Sequence, residues 1–219
     1  MANEVGPAYR ELASIVVDNL TTRIHAYVAC FCADGDLLSQ WRGYAGTHGY
    51  SIEFDRAALD EAVGRFAVPD GPPARVRSAL YDAHKAREAA ATAVSEVAQD
   101  GLNHPGVHSH FIALKIAPIV ATIKDESFAE EQEWRAVVAL YEPDGPFRQD
   151  PPDGSTNRYR PVQLAIVPYV AIRIELSSIV SVTVGPSMQQ ALRVEGAKRF
   201  LWGHGIDVPV RPSRVPFRT

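Results

Sequence analysis

The stretch that most limits how this chain can fold is Phe128-Ala-Glu-Glu-Gln-Glu-Trp-Arg135, which runs directly into five apolar residues, Ala136 to Leu140. The short apolar run predicts a strand from Gln132 to Leu140. On a strand, residues two apart share a face and stand roughly 6.5–7 Å apart. That spacing would crowd Glu131 against Glu133, with Arg135 projecting from the same side. Neighbouring carboxylates repel, which raises the pKa of one of them. A guanidinium can hold either through paired hydrogen bonds. The patch therefore has two readings, a centre for acid–base chemistry or a structural ion-pair network, because both arrangements perturb pKa values.

The rest of the chain sets bounds. Its 219 residues suit one medium domain, residues 1–219, with enough chain to bury a substantial core. A net charge of −4 gives no basic footprint, so charge does not favour nucleic acid as a partner, although it does not exclude it as an acceptor. Arg65, Arg75, Arg77, Lys85 and Arg87 cluster in sequence, but Asp82 and Glu88 are interspersed, as on a solvated face. No apolar run approaches the ~18–20 residues of a membrane span. The start, Met-Ala-Asn-Glu-Val-Gly-Pro, lacks a signal-peptide pattern, so the expected location is cytoplasmic. Cys30 and Cys32 read as small buried hydrophobes, since two sulfurs alone do not make a zinc site.

Periodicity predicts a helix from Pro7 to about Leu20 and a strand from Ala26 to Ala33 buried on both faces. A short helix at Leu37–Gly43, a glycine loop and a strand at Tyr50–Phe54 follow, after which Asp55 can cap a helix to about Phe66. Further on, the pattern predicts a strand at Val76–Tyr81, a helix at Ala83–Gln99 and a helix at Val107–Ile123 kinked by Pro118. Glu142–Asn157 reads as a long loop, with strands at Tyr159–Pro161, Val170–Leu176 and Ile179–Val184, a helix at Met188–Trp202 and a last strand at Asp207–Val210. Helices gather in the first half and strands are unevenly spaced, so the expected class is α+β with mixed or antiparallel sheets.

Three blocks carry a family likeness. The first is Ala29-Cys-Phe-Cys32, Asp36-Leu-Leu-Ser-Gln-Trp-Arg-Gly-Tyr44 and Gly49-Tyr-Ser-Ile-Glu-Phe54. The second is Lys124 to Arg135; the third is Ile179 to Pro186 with the tail Pro212 to Arg218. Together they resemble a widespread bacterial family, the domain-of-unknown-function family numbered 2971. The resemblance implies that members usually carry a further N-terminal segment, a Tyr-rich strand with a short helix and turn, which would be missing ahead of Met1 here.

Those blocks are also similar to the ADP-ribosyltransferase fold, whose enzymes cleave the nicotinamide–ribose bond of NAD. The resemblance implies NAD as co-substrate and sets Glu131-Gln132-Glu133 against that fold's catalytic Glu-X-Glu. Loss of nicotinamide leaves an oxocarbenium-like ribose, so a carboxylate beside it stabilises charge that develops in the transition state. Glu133 is assigned that role, and Glu131 the orientation or deprotonation of an unknown acceptor. Trp41 and Tyr44, one helical turn apart, would wall a nicotinamide or base, and Arg42 would hold a phosphate. The plainer alternatives are core packing for the aromatics and an ion pair to Asp36 or Glu53 for Arg42. His104 and His108 are four apart and His108-Ser-His110 is locally dense, but Pro105 spoils a clean helical pair and a metal site needs a third group with oriented surroundings, so no metal is expected.

Two functions from different classes follow. One is an ADP-ribosyltransferase-like enzyme; the other is a non-catalytic module for a nucleotide-like small molecule or a protein, with Glu131, Glu133 and Arg135 as a structural clasp. An enzyme predicts that Glu133, Arg42 and Tyr44 converge on one open cleft. A clasp predicts that Glu133 is closed off by its neighbours. Oligomeric state is left open.

Overall fold

In the computed structural model, which describes residues 7–46, 48–66, 72–103, 109–141 and 158–216, helices and strands alternate without a repeating unit. In chain order they are α1 (Pro7–Thr22), β1 (Ile24–Phe31), α2 (Leu38–Gln40), β2 (Tyr50–Phe54), α3 (Arg56–Gly64), β3 (Arg75–Ser78), α4 (Ala83–Asn103) and α5 (Ser109–Val120). The second half holds β4 (Trp134–Tyr141), β5 (Arg158–Val162), β6 (Ala165–Tyr169), β7 (Ile179–Val184), α6 (Gln190–Gly203) and β8 (Val210–Pro212). A widened turn of π type, Trp41–Ala45, continues α2, and a 3-10 turn, Glu126–Glu131, leads towards β4.

The strands form two three-stranded sheets and a hairpin. The first sheet has the order β1-β4-β3 and is antiparallel throughout. The second has the order β2-β7-β8, with β2 antiparallel and β8 parallel to β7. β5 and β6 pair with each other. The fold is α+β, as the uneven strand spacing suggested.

β4 occupies the centre of the first sheet, and its residues Ala136 to Leu140 are all buried. Successive side chains on a strand point to opposite faces, so β4 feeds two cores. On one face, Ala139 packs with Val16 of α1, Ile24 of β1 and Ile112, Ala113 and Ile116 of α5. On the other, Ala136, Val138 and Leu140 meet Leu59 and Val63 of α3, together with Phe66 and Val76. A third core lies between the second sheet and α6, where Val182, Val184 and Val210 meet Val194, Ala197 and Leu201.

Local signals set several boundaries. Asp55 accepts a hydrogen bond from the Ala58 amide at 2.8 Å and starts α3, as a capping carboxylate should. Pro118 lies within α5, close to its end. Among the described residues, no helix is long and apolar enough to cross a membrane.

Four expectations need correction. β1 is not buried on both faces; it is the outer strand of its sheet, and most of its residues are exposed. Apolar composition cannot separate an outer strand from a central one. For the same reason Cys30 is exposed and Cys32 half-buried, and both are free thiols. Val170–Leu176 is not a strand: Val170, Ile172 and Ile174 do turn a shared side to the core, but the segment joins no sheet. The last strand starts at Val210 rather than Asp207, because its register with β7 begins where Val210 stands opposite Val182. The predicted loop Glu142–Asn157, and His104 and His108, lie outside the described residues.

Candidate functional site

The Glu-Gln-Glu stretch is not a continuous strand. Glu131 ends the 3-10 turn, and Gln132 adopts φ 42° and ψ 51°, the left-handed region that a residue with a Cβ enters at a cost. This reversal, rather than strand alternation, brings Glu131 and Glu133 onto one partner, the Lys124 ammonium, which contacts both carboxylates. From β4, Arg135 donates from Nε to Glu133 Oε1 at 3.0 Å and from a terminal nitrogen to Oε2 at 3.3 Å. The same guanidinium donates to the Ala121 carbonyl at 2.6 Å.

The backbone is held as firmly as the side chains. The Glu133 amide donates to the Tyr81 hydroxyl at 2.9 Å, and its carbonyl accepts from the Ala79 amide at 2.8 Å. The Cys32 thiol donates to the Glu131 carbonyl at 2.8 Å. Two cations thus meet two carboxylates, and every charge has a partner. Glu133 is only 5% exposed. Burial pushes its carboxyl up, but hydrogen bonds from Arg135, Cys30 and Lys124 outweigh that and hold it down at about 2. The Lys124 ammonium is desolvated, yet its bonds to Glu131 and Glu133 raise its pKa on balance. Burial and the adjacent Glu133 push the Cys30 thiol up to about 11. A carboxylate held near 2 is a weak base at neutral pH, and efficient general acid–base catalysis needs a pKa near the working pH.

A second constellation lies between the two sheets, in a cleft of about 1220 Å³. Its walls come from the end of β1 and the following turn, the Trp41–Tyr44 turn, β2, Trp134, Ser181 of β7 and the β8 tail with Arg211 and Arg214. Trp41 forms part of its floor, 6% exposed, with Nε1 donating to Asp36 Oδ1 at 2.9 Å. Asp36 also accepts from the Ser213 hydroxyl and from the Arg214 amide, the latter at 2.8 Å. Burial acts to raise the Asp36 pKa, but the bonds from Ser213, Arg214 and Trp41 lower it on balance. Gly185 makes room for this floor, because a Cβ there would sit 3.0 Å from both the Trp41 ring and the Gly49 carbonyl.

Tyr44 stands 81% exposed at the rim. It and Trp41 therefore do not form one flat wall: the widened turn sends one ring into the core and leaves the other in solvent. Along β2, Tyr50 carries the Arg193 guanidinium 4.8 Å above its ring. Glu53 accepts from the Ser181 hydroxyl at 2.5 Å and is exposed. Arg56 lies 3.4 Å over the Trp134 ring, and Phe31 meets Phe54 edge-on at 6.2 Å, which ties the two sheets together at one end of the cleft.

Of the five residues singled out from the sequence, the cleft takes in Trp41 and Tyr44. Glu131, Glu133 and Arg42 are not among its lining residues. Arg42 is exposed and pairs with neither Asp36, which Trp41, Ser213 and Arg214 satisfy, nor Glu53, which Ser181 holds. Glu53 is the cleft carboxylate that sequence reasoning named only as a partner for Arg42. Its signal was the Tyr50–Phe54 alternation, which puts Glu53 opposite Ile52 and Phe54 on the strand. Lys124, seven residues ahead of Glu131, was quoted in the sequence block but not recognised as the shared cation.

Residues 40–136 match the family model described as Protein of unknown function (DUF2971). Over that span, a little under half of the chain, the sequence is similar to the members of that family. No curated protein and no solved structure matches it. The DUF2971 span runs from the residue before Trp41 to the residue after Arg135, so it holds the whole clasp and the Trp41, Tyr44 and Glu53 side of the cleft. The wall supplied by Ser181, Arg211 and Arg214 lies beyond it. Among the described residues, no group of three or more His, Cys, Asp or Glu side chains is placed to hold a metal ion.

Proposed function

We propose that this protein is a ligand-binding module whose inter-sheet cleft takes a nucleotide-like small molecule, with Lys124, Glu131, Glu133 and Arg135 as a structural clasp behind it. The observation that carries the reading is the division of labour between the two sites. The clasp is closed and internally neutral, whereas the cleft offers an exposed ring, Tyr44, with Arg211 and Arg214 among its lining residues. A planar base stacks on an exposed aromatic ring, and guanidiniums suit phosphate oxygens. Glu53 suits the hydroxyls of a sugar. The cytoplasm is the compartment this reading favours, since the two free thiols would stay reduced there.

The test is a titration of the whole chain with ADP-ribose, NAD and ATP, followed by calorimetry. Saturable binding that weakens at least tenfold in Tyr44→Ala supports the proposal. Binding that is absent for all three ligands, or unchanged in Tyr44→Ala, overturns it.

A second reading of the same cleft is NAD-consuming transfer, favoured by the exposed carboxylate of Glu53 beside Ser181. In that reading Glu53, not Glu133, stabilises the oxocarbenium-like ribose as nicotinamide leaves. Nicotinamide release from NAD, followed by NMR, tests it. Release abolished in Glu53→Gln and retained in Glu133→Gln supports Glu53. The opposite pattern returns the role to Glu133, and no release from the unmodified chain leaves the binding module.

A further inference from the structure

The second sheet lines one side of the cleft, and its register sets polar side chains in rows. Ser51 of β2 stands opposite Thr183 of β7, and Thr183 stands opposite Arg211 of β8. Residues paired across strands point to the same face, so these three form one row. Glu53 and Ser181 make the next row on that face, about 6.5–7 Å away along the strands. All five line the cleft. The opposite face carries Val182, Val184 and Val210, which pack against α6.

The two rows differ in what they have left to bind. Glu53 and Ser181 hold each other. Among the described residues, the Ser51 and Thr183 hydroxyls and the Arg211 guanidinium have no hydrogen-bond or ion-pair partner. A Cβ at Gly35 would lie 2.8 Å from Ser51 Oγ, closer than such atoms pack, so glycine keeps that hydroxyl's place open. Three carboxylates line the cleft, Asp34, Asp36 and Glu53, against three guanidiniums, Arg56, Arg211 and Arg214. Arg214 stands 3.6 Å from Asp36 and Arg56 lies over the Trp134 ring, which leaves Arg211 as the uncommitted cation of the lining.

Resting on the ligand-binding reading of the cleft, we infer that the Ser51–Thr183–Arg211 row takes the phosphate of a sugar monophosphate, with the sugar lying towards Glu53. Neighbouring strands stand about 4.7–4.9 Å apart, so the two hydroxyls can bracket one phosphate while the longer Arg211 reaches its oxygens from the third strand. Hydroxyls donate to anionic oxygens, and a guanidinium donates two bonds in parallel. One row away, the Glu53 carboxylate accepts from sugar hydroxyls and repels a second phosphate. With carboxylates and guanidiniums equal in number, the cleft has no surplus positive charge for a triphosphate. A single phosphate is the load that Arg211 matches.

Calorimetric titration of the whole chain with ribose 5-phosphate tests the subsite, with thermal unfolding to verify that each variant folds. Saturable binding is expected, and AMP should bind more tightly than ATP. A hydrogen bond to a charged group is worth about tenfold or more in affinity. Thr183→Val, which keeps the shape of the side chain, should therefore weaken ribose 5-phosphate about tenfold, and Arg211→Gln should weaken it further. Arg42→Ala, at an exposed arginine outside the cleft lining, should change nothing. Absent binding, an undiminished Thr183→Val, an Arg42→Ala as weak as Arg211→Gln, or ATP at least as tight as AMP would overturn the assignment. Ribose 5-phosphate carries no base, so its binding is independent of Tyr44 and the two readings fail separately. ADP-ribose binding that needs Tyr44 but not Arg211 overturns the phosphate row and keeps the nucleotide reading. Ribose 5-phosphate binding that needs Thr183 and Arg211, with ADP-ribose unaffected by Tyr44→Ala, does the reverse.

Discussion

The clasp and the cleft hold similar residue types and use them in opposite ways. In the clasp, Glu133 is buried, doubly engaged by Arg135 and shared with Lys124. In the cleft, Glu53 rests on one serine hydroxyl, and Tyr44 stands out in solvent. A charge with every partner already in place has little left to offer a substrate, however dense its surroundings. A lightly held charge in a concave, aromatic-lined space can still bind. Density of ionisable residues in the sequence is therefore a poor guide to function until it is known which charges satisfy one another.

The sharpest way to break this contrast is to remove each carboxylate in turn. Glu133→Ala leaves Lys124 and Arg135 partly desolvated and unpaired, and stripping one partner from a buried ion pair costs about 3–5 kcal/mol. Glu53→Ala, on an exposed side chain, should change stability by no more than about 0.5 kcal/mol. Urea unfolding of the two variants reads the difference, and equal midpoints would show that the clasp is no more structural than the cleft.

Acid should act through the same residue. The Glu133 carboxyl lies at about 2, against an ordinary 4.5. A folded pKa below the unfolded one means the unfolded chain binds more protons in that window. The contribution is therefore complete above about pH 4.5 and is lost as pH falls towards 2, and it amounts to about 3 kcal/mol. Stability measured through this window should decline in the unmodified chain and lose much of that slope in Glu133→Gln.

Cys30 gives a chemical version of the test. It is exposed, yet its thiol is pushed up to about 11 by burial of the sulfur side and by Glu133. The thiolate is the reactive form, and its scarcity outweighs the greater nucleophilicity of a more basic sulfur, so alkylation at mild alkaline pH should run about tenfold slower than for a thiol at its ordinary pKa. Glu133→Gln should speed it, and a fast reaction in the unmodified chain would mean that the carboxylate does not face the sulfur.

The smallest effect sharpens the cleft side. Tyr44→Ala should leave the thermal midpoint unmoved while weakening ligand binding by about tenfold, in line with the ~1–3 kcal/mol of a stacked base. A drop in thermal midpoint without loss of binding would make Tyr44 part of the fold instead.

Much of the fold was legible because local signals and tertiary packing agreed. Asp55 caps as its position suggested, and Tyr50–Phe54 and Ile179–Val184 are strands over the predicted residues. The site was less legible, for two physical reasons. Gln132 enters a backbone region that no residue pattern flags for a glutamine, and that turn decides where both glutamates point. The cleft is assembled from residues between Cys30 and Leu59 and between Ser181 and Arg214, with Val76 and Trp134, so its members share no sequence neighbourhood. Val170, Ile172 and Ile174 show the same limit in reverse: their alternation marks a buried side correctly but cannot supply a neighbouring strand.

The pairing of β2 with β7, and of Asp36 with Ser213 and Arg214, fixes an order of events during synthesis. Synthesis runs from the N-terminus, so the early strands emerge from the ribosome before the late ones. The first sheet has all its strands once Tyr141 has emerged, and the clasp can lock at that point. β2 must then wait, with Tyr50, Ile52 and Phe54 lacking their neighbour, until Ile179–Val184 have been made. The cleft floor waits longer still, for the serine and arginine that tether Asp36. A nascent chain that ends before Ile179 thus holds every strand of the first sheet but lacks the β7 and β8 residues that complete the cleft.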